Sequence, residues 1–546
     1  MLPLAYVLSL AVSLFVAMAL IPPLARVAGR LRLEDIPDAR KVHVRPIPRV
    51  GGIAIIVGMA SAVILWVPMQ PWILGYLCGA AVIGVFGVWD DRCDLDYRLK
   101  FLGQFLAAAI AIGIGDIRIA HLPFFEAWTL PTQLSIPLTL LVLVAITNAI
   151  NLTDGLDGLA GGTTLLAISC MALLAFLDQD ETLVIISLGL IGALFGFLRY
   201  NSYPARVFLG DTGSQFLGFS AAVLAIVLTQ QSNTALSPAL PLLLLGLPIL
   251  DTLVVMTQRI VEGRSPFKPD RSHLHHRLLS IGLDHYEAVL LIYVIQTALI
   301  CAAFFLRYER DSLLIALYLA LAVAIVVPLT LLRRHEWSLR NRQLPQHSLA
   351  TFVARVGRHP AFRQGPMHVV GVIVVALLLG SALACTHVTT DLGLAAVACL
   401  AFFAARIVLP RVVAGVFDRL AVYVTAAFAV FLLATTATLP DLFGYSPLPF
   451  IYALLAVAVA FAVRFSDAGR FTVSSLDFLV IVLVVLLTIV ADVAEGDPIY
   501  VKIALQLLIV FYACEMLLFR AAYYWWSVRL ASVVALAVFA SRALIT

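Results

Sequence analysis

Charge is what this sequence has least of. Lys and Arg number 36 and Asp and Glu 32, so 12% of the 546 residues are charged, against 62% hydrophobic and a mean hydropathy of +1.02. That balance excludes an ordinary water-soluble domain and points to a bilayer protein. Cysteine is scarce too. The seven thiols (Cys78, Cys93, Cys170, Cys301, Cys385, Cys399 and Cys514) are scattered, mostly inside apolar runs, with no CxxC spacing and no histidine cluster beside them. A disulfide framework and a zinc site are therefore not expected. No repeat of fixed period is present, which leaves inverted-repeat transporter architectures unsupported. No patch of nucleic-acid-binding type is evident, so nucleic acid is not an expected partner. The first apolar run, about residues 2–25, lacks the basic start and small-residue cleavage site of a signal peptide and is read as a retained helix.

What is abundant is apolar runs of about 18 to 22 residues, the length a helix needs to cross a hydrocarbon layer of roughly 30 Å and too long for barrel strands. The expected fold class is all-α and polytopic, with about eleven spans up to Leu332 and about seven more from His368. Residues 26–50, 257–287 and 333–367 are rich in Lys and Arg. The positive-inside tendency makes these loops cytoplasmic and puts the N-terminus outside. The 333–367 stretch carries seven arginines and one glutamate. It is the expected linker between a first membrane domain, 1–332, and a second, 368–546, whose acids are isolated.

Polar motifs interrupt the first domain only. In 84–104 an apolar run ends in Asp90 and Asp91, followed by Asp94, Asp96 and Lys100. Adjacent carboxylates repel, which suits a site where a divalent cation or a proton compensates them, although a solvated interfacial loop explains them equally well. Residues 147–162 place Asn148, Asn151, Asp154 and Asp157 at steps of three among four glycines. On a continuous helix the last three would share about a third of the circumference and could converge on one ligand, while the glycines permit close backbone approach or a break in the helix. A glycine-rich packing face would explain the glycines but not the acids, each costly within a membrane. In 199–219, Asp211 lies between Gly210 and Thr212-Gly213-Ser214 at the start of an apolar run. Metal binding beside free helix N–H groups competes there with plain N-capping by Asp211, Thr212 or Ser214, and capping alone would suffice. Two basic loops complete the set, one with Arg40, Lys41, His43, Arg45 and Arg49, the other with Arg264, Lys268, Arg271, His273, His275, His276 and Arg277. His273 and His276 can share a helical face from which His275 points away. The spacing is not that of a zinc protease, and phosphate recognition fits better. All five motifs fall on one side of the membrane, where carboxylates beside a basic wall match a phosphate substrate with a divalent metal; Mg²⁺ suits an all-oxygen site.

In this order the five motifs resemble the polyprenyl-phosphate N-acetylhexosamine-1-phosphate transferase superfamily over about residues 1–330. The resemblance rests on Asp35-Pro37, Arg40-Lys41-His43, Gly51-Gly52, Asp90-Asp91, Asn148 to Gly158, Gly210-Asp211 with Gly213-Ser214, and the histidine cluster. The spaced histidines, with Ser265-Pro266 and Pro269-Asp270, are similar to the WecA-like branch. The phospho-MurNAc-pentapeptide translocases have three adjacent histidines, so that activity is the weaker alternative, as is a transporter or flippase. The resemblance implies transfer of a sugar 1-phosphate, GlcNAc-1-phosphate first among the choices, from UDP-HexNAc to polyprenyl phosphate, with release of UMP. It implies Mg²⁺ or Mn²⁺ as cofactor, held by Asp211 and Asp91, and catalytic roles for Asp90, Asp91, His275 and His276. Arg45, Asn148, Asn151, Asp154, Asp157 and His273 are implied substrate contacts. The implied location is a bacterial inner membrane with a cytoplasmic site, and a homodimer is one assembly left open.

Overall fold

Among the described residues, eleven helices are long and apolar enough to cross a membrane, nine of them before residue 340. The computed structural model describes residues 4–37, 45–125, 128–265, 273–334, 360–385, 387–405, 411–435, 446–465, 478–479, 498–520 and 522–544. Arg40, Lys41, His43, Pro266, Lys268, Pro269, Asp270, Arg271 and most of the 333–367 connector lie outside them. The chain is an all-α multi-pass membrane protein.

It divides into two compact units, Met1–Arg342 with Ser474–Leu479, and Gln343–Val473 with Val480–Thr546. The first contains α1 (Leu4–Leu31), α2 (Gly51–Trp66), α3 (Pro71–Cys93), α4 (Tyr97–Gly115), α5 (Thr132–Thr153), α6 (Leu159–Leu177), α7 (Glu181–Asn201), α8 (Gly210–Val227), α9 (Pro241–Leu244), α10 (Gly246–Val261), α11 (Leu274–Ser280), α12 (His285–Phe305) and α13 (Asp311–Arg334). Two residue pairs of a hairpin, β1 (Glu34–Asp35) and β2 (Ile47–Pro48), join α1 to α2.

Helix α8 is the axis of this unit. Its apolar residues face neighbours on every side, and it packs on α2, α3, α5 and α6. A helix apolar all round is stable only when enclosed in this way. The α9–α10 pair shows how an interrupted span survives in a membrane. Backbone groups freed at the break must find partners, because lipid offers none. Gln296 donates to the Leu244 carbonyl at 2.8 Å and Tyr318 donates to that of Gly246 at 2.9 Å.

In the second unit, α14 (Pro360–Ala384), α15 (Thr390–Ala405), α16 (Arg411–Thr435), α17 (Leu448–Phe465), α18 (Pro498–Arg520) and α19 (Ala522–Ala543) enclose two apolar clusters. One is centred on Val370, Val374, Val422, Leu455 and Leu517, the other on Cys385, Ala396, Leu536 and Phe539.

Candidate active site

The C-terminal ends of α3 and α5, the N-terminal ends of α4 and α8, and α11 all meet at one end of the first unit. Helix α3 delivers Asp90 and Asp91, both buried. Asp90 accepts the Leu95 N–H at 2.9 Å through Oδ1, and its Oδ2 lies 2.8 Å from the Lys100 ammonium on α4. The same ammonium is 3.9 Å from Asp211 Oδ2 at the start of α8, so one cation bridges two acids from distant motifs.

Asp91 has a role that its sequence context did not suggest. Its carboxylate accepts the N–H of Asp211 at 2.9 Å, the N–H of Thr212 at 3.0 Å and the Thr212 hydroxyl at 2.6 Å. It caps α8 from another helix, satisfying donors that a helix start leaves open. The residue before α8 supplies no side-chain cap, and Ser214 instead donates to Asn151 Oδ1 and to the Gly210 carbonyl. Gly210 has a φ of +74°, and a Cβ there would come within 2.6 Å of Asp91 Oδ2. Only glycine allows both that backbone and that approach.

Of the two arrangements open to the Asn151–Asp157 segment, a continuous helix or a break at the glycines, the structure has the break. Helix α5 ends at Thr153, and Asp154 and Asp157 lie on a short loop before α6. Gly158, at φ +80°, sets the new direction. The three residues converge through this loop and not through a shared helix face. The loop is fixed from several sides: the Asp157 N–H donates to His285 Nε2 at 2.9 Å, and Asp157 Oδ2 accepts the Ala205 N–H at 2.9 Å. The Gly158 N–H donates to Asn201 at 2.9 Å, and Tyr293 donates to the Gly158 carbonyl at 2.6 Å. Burial, then Asp211, Asp91 and Asp157, push the half-buried Asp154 carboxyl up to about 7, while Arg49 acts in the opposite direction. Asn148 is held in a buried amide network, with Gln104 donating to it at 3.3 Å and to Gln215 at 3.1 Å.

The histidines sit opposite these groups. Ring centroids are 6.0 Å apart for His273 and His275 and 4.2 Å for His275 and His276. His275 does not point away. It packs on the Asp154 loop so closely that a Cβ at Gly155 would lie 2.2 Å from its Nε2. Burial chiefly, then His276, holds its imidazole down to about 3, with Asp251 pulling upward. Arg45 is exposed, whereas Arg49 pairs with Asp35 and is the arginine whose charge reaches Asp154.

A cavity of about 1210 Å³ opens from this site. Lys100, Asn148, Asn151, Arg259, His273, His275 and His276 line its polar end. The remainder is mostly apolar, from Phe101, Phe105, Leu141 and Ile146 to the far-end residues Leu122, Pro123 and Gln230.

The glycosyl transferase family 4 pattern matches residues 73–229. A probable undecaprenyl-phosphate N-acetylglucosaminyl 1-phosphate transferase of Bacillus subtilis (strain 168) is 36% identical over 328 residues, 59% of this chain and 92% of that relative. The chain belongs to glycosyl transferase family 4. A decaprenyl-phosphate N-acetylglucosaminephosphotransferase of Mycolicibacterium smegmatis is 37% identical over 331 residues, covering 55% of this chain and 82% of the relative. An undecaprenyl-phosphate alpha-N-acetylglucosaminyl 1-phosphate transferase of Salmonella typhi is 32% identical over 292 residues, covering 52% and 80%.

Within this family 4 chain, Asp251, Asn201, His285 and Tyr293 are the site residues that motif reading missed. Asp251 had a signal, since it is the sole acid in α10 and membrane-embedded acids are costly. The others had none, because each holds backbone of a loop distant in sequence.

Among the described residues no three His, Cys, Asp or Glu side chains form a preassembled metal cage. The site nonetheless fits a divalent cation that shares its coordination with substrate phosphates. Its donors are oxygens, and Asp90, Asp91, Asp154 and Asp211 together outweigh Lys100 and Arg49 in charge.

Proposed function

We propose that this chain transfers N-acetylglucosamine 1-phosphate, or that of a closely related HexNAc, from its UDP-linked donor to polyprenyl phosphate, starting a lipid-linked glycan. The observation that carries this reading is the junction of an acidic, Lys100-bridged cluster with a mostly apolar cavity. Such a junction accepts a molecule that is a phosphate at one end and a hydrocarbon at the other. The relatives named above are polyprenyl-phosphate N-acetylglucosamine phosphotransferases, which supports this reading over pentapeptide transfer or transport.

An oxygen of the lipid phosphate attacks the β-phosphorus of the donor. The bond from that phosphorus to the bridging oxygen breaks, and UMP leaves with the bonding electrons. A phosphate is already a competent nucleophile at neutral pH, so direct in-line transfer needs positioning and charge neutralisation more than activation. Mg²⁺, or Mn²⁺ in its place, would be held by Asp211 with Asp90 beside it and would neutralise charge on the phosphates. Asp91, with its carboxylate occupied at the α8 start, sets the position of Asp211. Lys100 pairs with Asp90 and offers a cation to phosphate. Asn148, Asn151, Asp154 and Asp157 form the donor side. Neutral His275 offers a hydrogen bond, while His273, His276 and Arg259 wall the phosphates. The Lys and Arg richness of residues 26–50 and 257–287 supports a cytoplasmic site, and the bacterial relatives support an inner-membrane location.

The test uses the purified full chain with polyprenyl phosphate and UDP-GlcNAc labelled separately at the β-phosphate and at the sugar. Both labels should appear in the lipid fraction. Sugar label without phosphate label would refute the reading.

A further inference from the structure

Asp251 belongs to none of the motifs that identify the family, yet it is buried directly behind the histidine cluster, at 9% exposure. Its Oδ2 lies 2.9 Å from His273 Nδ1, and its Oδ1 accepts the Leu274 N–H at 2.7 Å. An ionised carboxylate only accepts hydrogen bonds, so the shared proton sits on His273 Nδ1. Nε2 is then the ring nitrogen left for the cavity, whose polar end His273 lines together with Lys100, Arg259, His275 and His276.

The carboxylate does more than start α11, because the bond from the Leu274 N–H would satisfy that need with one oxygen. The second oxygen is committed to the imidazole. The backbone of α10 supports the arrangement, since its broken junction with α9 is pinned by Gln296 and Tyr318 and delivers Asp251 from a fixed base. Orientation of a functional histidine by a buried carboxylate is a recurrent device for fixing both tautomer and ring plane.

We propose that Asp251 is a positioning residue for the transfer reaction: it holds the Nδ1–H of His273 and aims Nε2 at a phosphate of the bound substrates, to which the imidazolium donates its second N–H. The proposal rests on the transferase reading above. The phosphate is either the donor diphosphate or the acceptor headgroup, and separate KM measurements tell them apart.

Two measurements on the full chain test it. With ¹⁵N-labelled histidine in lipid nanodiscs, and His273→Gln to assign the signal, wild-type His273 should show a protonated Nδ1; a proton found on Nε2 with Nδ1 bare would overturn the proposal. In kinetics, Asp251→Ala should lower kcat/KM about ten- to a hundredfold, the range seen when the orienting partner of a metal-bound histidine is removed. Asp251→Glu should recover part of that loss. The Asp251→Ala/His273→Ala double variant should be no worse than His273→Ala alone, because one residue acts through the other. Multiplying losses, or a fully active His273→Ala, would refute the positioning role. If Asp251→Ala does not fold, the wild-type tautomer and the His273→Ala rate still decide. A wild-type chain that releases no UMP would instead sink the transferase reading, while the tautomer would still report on the Asp251–His273 pair.

Discussion

The carboxylate of Asp91 on α3 accepts the backbone N–H of Asp211 on α8 at 2.9 Å, across 120 positions of sequence. Two acids that a motif reading treats alike are thereby separated. Asp91 holds the helix start, and Asp211 is the acid that this start presents.

Their variants should therefore fail differently. Asp91→Ala leaves buried donors of Asp211 and Thr212 without an acceptor, at about 1–3 kcal/mol for each such group, and should lower the thermal midpoint as well as turnover. Asp211→Asn keeps the fold and should lower turnover about a hundred- to a thousandfold at an unchanged midpoint. Thermal unfolding and initial rates, measured side by side, check the distinction; equal midpoints for both variants would contradict it.

Gly155→Ala should reduce turnover sharply, because the added Cβ would lie 2.2 Å from His275 Nε2. The loss should vanish in a His275→Ala background, where the ring is gone. Rates of the two single variants and the double variant measure this coupling.

The pH dependence of stability has two opposed components. His275 is held down to about 3, whereas an unfolded histidine titrates near ~6.5. Its contribution is present above ~6.5 and is lost as pH falls toward 3. Asp154 is pushed up to about 7 against ~3.9 when unfolded, so its contribution is full below ~3.9 and is lost as pH rises through 7. His275→Gln should flatten the acid side of a midpoint-versus-pH curve, and Asp154→Asn the side between about pH 4 and 7.

A chain ended near Gly365 keeps every family motif and should retain transfer. It loses Phe478, which belongs to the first unit and stacks on Tyr293 with ring centroids 6.3 Å apart. Turnover per folded molecule, compared with that of Phe478→Ala in the full chain, separates loss of this one ring from loss of the whole second unit. A well-inserted shortened chain that binds donor but cannot transfer it would place the later helices in the catalytic machinery.

Much of this site could be read from residue types because costly groups stand out in an apolar chain. Asp90, Asp91, Asn151, Asp154 and Asp211 interrupt runs that needed only to span. What could not be read was which carboxylate faces which donor. The Asp91–Thr212 and Asp157–Ala205 bonds depend on helix packing over 121 and 48 positions. Spacing alone does not decide the helix end at Thr153. The three-residue spacing suggested continuity, while Gly155 and Gly158 supplied the means to break it. His275 was misplaced because its packing partner, Gly155, has no side chain to announce the contact.

The identity of the released nucleotide tests the phosphoryl-transfer claim most directly. Purified full-length protein is incubated with UDP-GlcNAc, Mg²⁺ and polyprenyl phosphate, and the products are resolved by chromatography. The expected result is UMP in amounts equal to lipid-linked sugar, with none when polyprenyl phosphate or the divalent cation is left out. Release of UDP in its place would mean that the sugar moves without its phosphate, and would contradict attack at the β-phosphorus.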